Sequence, residues 1–431
     1  MNWQEIEDIR WLLSNAAHIV LRDAAASEIP LHRQARRLRK MLSPTRCRLV
    51  LQQVALRARA AAKFRHAERM LFTARGLEQA TDDGVATYKA SRFPEGESVA
   101  DLCCGIGGDL TGLAKRCDVV ACDTDWVAAR LAAFNAQRPG QPGVCSPVVA
   151  DATRLDNGAF VAWHIDPDRR ATGRRTTRVA AFQPHAQAIQ QLLDRNPDAA
   201  LKAAPASVLP VPWQQRAELE WISRRRECRQ QVAWFGSLAA AHGRRTATCV
   251  NASGEVVAQI RGAMITTPPL ASRICRFVYE PDAAVLAAGL AGSLADRLDL
   301  NGLHSPPAYL TGDTRIDHRL LAGFEVTDVV PFDMRRLRRL FRTRRVGTLE
   351  VKKRGVDCDP ARVQKALVAM GGNTATLLIT RFGNKPVSIV ARRLESDVAE
   401  DGVAGHKPSA GVCFRGQPEA RASDEREEHS G

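Results

Sequence analysis

The ten residues that most constrain this chain are "DLCCGIGGDL" at 101–110, where the apolar run "SVADLC" from Ser98 feeds a turn holding Gly105 and Gly107. Glycines let the backbone turn sharply and let a ligand approach the main chain, and "GDLTGLAKR" after them opens a helix whose first amides are free. A second run, "DVVACD", ends at Asp123, about 20 residues beyond the glycines, where a carboxylate can accept from both hydroxyls of a ribose. A third, "SPVVA" (146–150), ends in Asp151, where an acid can accept from an adenine amino group. From Ser98 onward, short apolar runs alternate with amphipathic stretches, which predicts βαβ units and a mostly parallel sheet. A single strand-end aspartate is commonly a helix cap. Asp101, Asp123 and Asp151 around one glycine loop point instead to a ligand at the carboxyl ends of the strands. A dinucleotide fingerprint would place a third glycine at position 110, where this chain has Leu110.

Asp101 stands four residues before Gly105, a spacing similar to the D/E-x-x-x-G-x-G pattern of class I methyltransferases. That resemblance implies S-adenosyl-L-methionine, whose methionine end carries an ammonium and a sulfonium and so suits an acid at this strand end. The cofactor residues expected are Asp101, Cys103, Gly105, Gly107, Asp123 and Asp151, with no metal. The fourth strand, "AFVAWHID" (159–166), runs into Asp166, Pro167, Asp168, Arg169 and Arg170. Its Asp-Pro step resembles the D-P-P-Y loop of amino methyltransferases, without the second proline and the aromatic. Asp166 and Pro167 are the catalytic candidates, the carboxylate orienting or deprotonating a nucleophile, while Arg169 and Arg170 suit a phosphate. The plainer account is an Asp-Pro turn with solvated arginines.

Beyond this loop, "HAQAIQQLLDRN" reads as a helix, "AALKAAP" (199–205) as a fifth strand, and "AELEWIS" and "RRTATCV" as the last strands, with "RECRQQVAWFGSL" helical between them. The domain so delimited covers 81–262. Ahead of it, 1–80 is a helical region in which Ser43 caps a helix begun by Pro44. Residues 263–324 form a connecting segment with one helix, "AAVLAAGLAGSLADRL". Residues 325–394 form a compact α+β module, in which "VKKRG" puts Lys352, Lys353 and Arg354 at a strand end, able to grip a phosphate backbone or merely solvated. The polar tail, 395–431, is expected to be disordered.

The formal charge of +15, from 62 basic and 47 acidic residues, suggests a polyanionic partner. The excess is clustered, at Arg33, Arg36, Arg37, Arg39 and Lys40 and again at Arg335, Arg336, Arg338, Arg339, Arg342, Arg344 and Arg345, an electrostatic footprint that favours a nucleic acid over the plainer account of arginines on solvated faces. Eleven cysteines include no C-x-x-C pair, so they read as reduced thiols rather than zinc ligands. No apolar run is long enough to span a membrane and no secretory leader is evident, which makes the cytoplasm the expected location. The oligomeric state is open.

The segments "FTARGLEQATDDGVATYKASRF", "DLCCGIGGDL", "HIDPDRR", "ELEWIS" and "GTLEVKKRGV" together resemble bacterial class I methyltransferases with a C-terminal THUMP-like domain. The resemblance implies a Rossmann-like catalytic sheet using S-adenosyl-L-methionine, joined to an RNA-binding-like module. The C-G-x-G-G loop is also partly similar to the trimethylguanosine synthase group, but the P-P-W loop of those enzymes has no counterpart at His164 to Arg170. The expected chemistry is direct in-line methyl transfer to RNA, tRNA or rRNA. A cysteine nucleophile is disfavoured, since Cys228 lies apart from any motif. A small-molecule methyltransferase and a non-catalytic RNA-binding protein with a vestigial cofactor site remain the alternatives.

Overall fold

The computed structural model describes residues 3–27, 29–137, 143–169, 176–263, 268–368 and 370–395. Arg170 and the tail from 396 lie outside them, and so do the expectations that fall on those residues.

The chain begins with α1 (Trp3–Leu12), α2 (Asn15–Ala25), α3 (Leu31–Leu38) and α4 (Pro44–Ala60), followed by the short α5 (Ala74–Gln79) and α6 (Asp83–Ala90). Ser43 accepts from Arg46 N at the head of α4, as its place before Pro44 predicts. Asp82 caps α6, accepting from Val85 N. The helical region shares one apolar cluster with Ile106 of the glycine loop. Asn135 pins the two together, bonding Leu71 through its N–H and carbonyl and Ile106 through its carbonyl, at 2.8–2.9 Å.

Next come β1 (Ser98–Leu102), α7 (Leu110–Leu113), β2 (Asp118–Asp123), α8 (Trp126–Ala136), β3 (Cys145–Val149), β4 (Ala162–Ile165), α9 (Ala186–Arg195) and β5 (Ala199–Ala203). These strands pair in parallel in the order β3-β2-β1-β4-β5. The order reverses between β1 and β4, and ligands in such sheets sit at the carboxyl ends beside the reversal. The helix expected after the glycines is a single turn, α7.

The sheet continues past α10 (Val211–Arg216) with β6 (Glu218–Arg224), β7 (Glu227–Trp234), β8 (Arg245–Val250) and β9 (Val256–Gly262), giving nine strands in the order β3-β2-β1-β4-β5-β7-β6-β8-β9. Here the expected helix over "RECRQQVAWFGSL" is overturned, because Glu227–Trp234 is a strand antiparallel to both β5 and β6. The reason is the turn: Arg225 and Arg226 both take positive φ (52° and 59°), the conformation of a two-residue hairpin that normally announces itself by Asn-Gly. Cys228, expected in a helix, accordingly lies on β7.

A second sheet holds β10 (Phe277–Pro281), β11 (Asn301–Gly302), β12 (Leu310–Gly312), β13 (Leu321–Pro331), β14 (Val346–Lys353), β15 (Asn373–Phe382) and β16 (Lys385–Arg393), in the order β11-β12-β10-β13-β16-β15-β14. Segment 263–324 is therefore more than a connection, since it supplies three strands of this sheet. Its single expected helix is split into α11 (Ala283–Ala288) and α12 (Ala291–Arg297) by Gly289 at φ 69°. α11 packs on β6, β7 and β8, and one buried apolar cluster runs from β1 and β5 through α11 to β10. α13 (Met334–Thr343) and α14 (Pro360–Leu367) cover the second sheet through Leu337, Phe341, Val363 and Leu367. No helix among the described residues is long and apolar enough to cross a membrane.

Candidate functional site

A cleft of about 760 Å³ opens at the carboxyl ends of β1, β2, β3 and β4. Asp101, Cys103, Gly105, Asp123, Asp151, Asp166, Pro167 and Arg169 all line it, so one site gathers most of the residues singled out in the sequence. Gly107 lies just behind, at φ +84°, where an added Cβ would meet Ala132 Cα at 2.9 Å. Gly105, at φ +54°, has nothing within 4 Å of its Cβ position and presents bare backbone to the cleft. Cys103 shares this turn at φ 57°, and burial pushes its thiol well above the usual range. The helical region adds Thr73, Arg75 and Gly76 to the cleft wall.

Asp101, at the end of β1, is 1% exposed. Its Oδ1 lies 2.7 Å from His164 Nδ1, and its Oδ2 is buried with no partner among the described residues. Burial raises its pKa, with His164 opposing. Asp123 accepts from Gly105 N on Oδ2 and Asp125 N on Oδ1, both at 2.9 Å, which ties the tip of β2 to the glycine turn. Burial raises its pKa as well. Asp151 is exposed and caps a short 3-10 turn, its Oδ1 accepting from the Thr153 amide and hydroxyl at 2.9 and 2.8 Å; those bonds hold its carboxyl below the usual range. The capping role common for single strand-end acids thus applies to one oxygen of Asp151, leaving Oδ2 for the cleft.

Just past β4, Asp166 Oδ2 is 2.7 Å from Lys202 Nζ. Asp168 pairs with Arg75 at 2.7 Å, joining the β4 loop to α5 across the cleft. Lys202, next to the carboxyl end of β5, also reaches Asp109 at 3.3 Å; burial opposes its charge, but Asp166 and Asp109 outweigh that and raise its pKa. Asp109 is held in turn by Lys89 at 2.8 Å and by the Thr81 hydroxyl at 2.7 Å. Burial works against the Asp109 anion, yet Lys89 and Lys202 hold it well below the ordinary carboxylate range. Lys89 Nζ lies 2.9 Å from His164 Nε2, so Asp101, His164, Lys89, Asp109, Lys202 and the half-buried Asp166 form one continuous chain, all but Lys89 lining the cleft.

Four of these six, His164, Lys89, Asp109 and Lys202, escaped the sequence reading. A usable signal existed: lysine within "AALKA" and histidine within "AWHI" are polar residues in central apolar strands, rare without a buried partner.

The "VKKRG" cations lie outside the cleft. Lys352 and Arg354 both pair with the buried Glu280 of β10, at 2.7 and 3.2 Å, while Lys353 and Arg354 remain exposed. Cys228 also lies apart from the cleft, and burial pushes its thiol to about 12. No group of three or more potential metal ligands occurs among the described residues.

The donor set suits S-adenosylmethionine: an orphaned buried carboxylate oxygen for an ammonium, an open glycine backbone, and acids at two further strand tips. Comparisons with known proteins agree. Residues 321–393 match the THUMP domain-like family model. The chain is 32% identical over 362 residues, 79% of its length and 94% of the relative's, to an uncharacterized S-adenosylmethionine-dependent methyltransferase of Mycobacterium tuberculosis strain CDC 1551, and equally to its counterpart in strain H37Rv. It superimposes at a TM-score of 0.72 and 20% identity on a protein of Porphyromonas gingivalis W83 assigned to the methyltransferases, covering 92% of this chain and 100% of that one. The chain belongs to the S-adenosylmethionine-dependent methyltransferases and carries a THUMP-like domain near its C-terminal end.

Proposed function

We propose that the protein methylates RNA by direct in-line transfer, with the cleft holding donor and acceptor and the arginine-rich C-terminal unit holding the polynucleotide. The observation that carries the RNA reading is the joining of this cleft to a THUMP-like unit whose helix α13 exposes Arg335, Arg336, Arg339 and Arg342, none with a carboxylate partner among the described residues. Four cations on two turns of one helix suit a phosphate backbone better than a small neutral substrate.

S-adenosylmethionine, when bound, supplies a sulfonium methyl: the acceptor lone pair forms the new bond to carbon as the C–S bond breaks with its electrons going to sulfur. Asp101 Oδ2 accepts from the cofactor's amino group. Cys103, Gly105 and Gly107 shape the turn against its methionine end, Asp123 takes the ribose hydroxyls and Asp151 Oδ2 the adenine amino group. Asp166, anchored through Oδ2, keeps Oδ1 for the acceptor's hydrogen and takes its proton as the new bond forms. Pro167 stiffens that loop, and Arg169 stands at the acceptor side of the cleft. Alignment of two bound reactants supplies much of the rate.

Total RNA incubated with methyl-labelled cofactor tests this. Wild-type protein labels RNA, and Asp166→Asn loses the labelling while its affinity for S-adenosylhomocysteine stays within about twofold. Label confined to small molecules overturns the RNA reading, and undiminished labelling by Asp166→Asn removes that residue from the reaction.

A further inference from the structure

The proposed reaction uses Asp101 and Asp166 and leaves the buried groups between them without a task. Charged side chains are rarely buried unless they are paired, and here the pairing has a direction. Lys89 Nζ, 97% covered, lies 2.9 Å from His164 Nε2. An ammonium has hydrogens to give and no lone pair to accept with, so Nε2 accepts. The ring hydrogen is then on Nδ1, which donates to Asp101 Oδ1 at 2.7 Å. Lys89 is itself fixed by Asp109 Oδ1 at 2.8 Å, and Asp109 by Thr81 and Lys202. With Oδ1 so engaged, Asp101 is left with one buried oxygen, Oδ2, and no protein donor for it among the described residues.

We propose that Lys89 and His164 form a positioning relay that fixes the imidazole tautomer, holds Asp101 as an acceptor for an ammonium group, and so makes the cleft select ligands bearing the amino-acid end of the cofactor over ligands bearing only its nucleoside end. Without a donor on Oδ1, a carboxylate at 1% exposure would be buried with both oxygens bare. The anion would then be disfavoured, and the amino group would lose its counter-charge. A residue that merely supported the fold would weaken all ligands of the cleft alike. The relay weakens only those that present an ammonium to Asp101. The inference rests on S-adenosylmethionine being the cofactor.

Calorimetry on the full chain with two probes separates these cases: S-adenosylhomocysteine, which has the amino-acid end, and 5′-methylthioadenosine, which lacks it. His164→Phe is expected to weaken S-adenosylhomocysteine by about tenfold or more, the worth of a hydrogen bond to a charged group, and to leave 5′-methylthioadenosine within about twofold. His164→Asn, which keeps an N–H near the Nδ1 position and an oxygen toward Lys89, restores most of the lost affinity. If His164→Phe does not fold cooperatively, Lys89→Met carries the same comparison, since it keeps the ring but removes the group that fixes its tautomer. Equal losses on both probes, or unchanged S-adenosylhomocysteine binding, overturn the relay alone. Wild-type protein that binds neither probe overturns the cofactor assignment and the relay with it.

Discussion

Asp101 is kept at 1% exposure with one oxygen bare, so its readiness for a cationic ligand is a burden on the unliganded protein. Burial raises its pKa, and the sign follows: the fold is relieved below that raised value, where the carboxyl is protonated, and strained above it, where it is charged. Asp101→Asn should therefore melt above wild type near neutral pH while binding no S-adenosylhomocysteine, and the difference in melting temperature should close on acidification. Binding by wild type should weaken as pH falls and release a proton where Asp101 is protonated, measurable by calorimetry in buffers of different ionisation enthalpy. The opposite case is Glu218, fully buried against Arg92 at 2.7 Å; against the penalty of burial, Arg92 and Thr246 lower it to about 2. That stabilisation is complete above its ordinary value of 4.5 and is lost as pH falls toward 2. These residues were unequally legible. Acids at strand tips beside a glycine loop advertise themselves because strand ends and turns are local. Lys89, Asp109, His164 and Lys202 meet from positions 20 to 93 residues apart, and no local pattern encodes such meetings.

Among the elements, β1 through β5 were readable because each is a short apolar run closed by a turn. β7 was not, because its hairpin places arginines where the backbone prefers asparagine or glycine. Arg225→Asn should stabilise the protein by about 1 kcal/mol, read as a shifted denaturation midpoint, by relieving that left-handed turn. β11 and β12, of 2 and 3 residues, are too short to carry a period and exist because β10 offers an edge to β12 and β12 one to β11. The contact between α6 and the distal strands depends on Arg92, whose guanidinium reaches Glu218 of β6 and Glu220 two residues on, and stacks 4.7 Å from the centre of the Trp234 ring. Arg92→Met leaves both carboxylates buried without their shared cation. A loss of about 3–5 kcal/mol in denaturant unfolding is expected. Glu218 keeps Arg261 at 3.1 Å, so a change below about 1 kcal/mol would mean that Arg261 with Thr246, Thr248 and Tyr88 suffices.

For the whole molecule, the net charge of +15 becomes informative through where α13 carries its arginines. Replacing Arg335, Arg339 and Arg342 with glutamine should weaken RNA binding across sequences and lower the slope of log affinity against log salt by about 0.7–0.9 for each phosphate no longer neutralised, with the melting temperature unchanged. An unaltered slope would place the polynucleotide elsewhere, with α3 and its exposed arginines next in line. The sheet beneath α13 is also no loose appendage. Asp282 alone separates β10, a strand of that sheet, from α11, which is packed on the catalytic one. A joint of one residue leaves little slack, so the span from α13 to the cleft is set by covalent geometry. On the proposed RNA reading, an enzyme built this way would choose its target as a tailor's gauge does, by the distance from a gripped stretch of strand to the nucleotide that falls in the cleft.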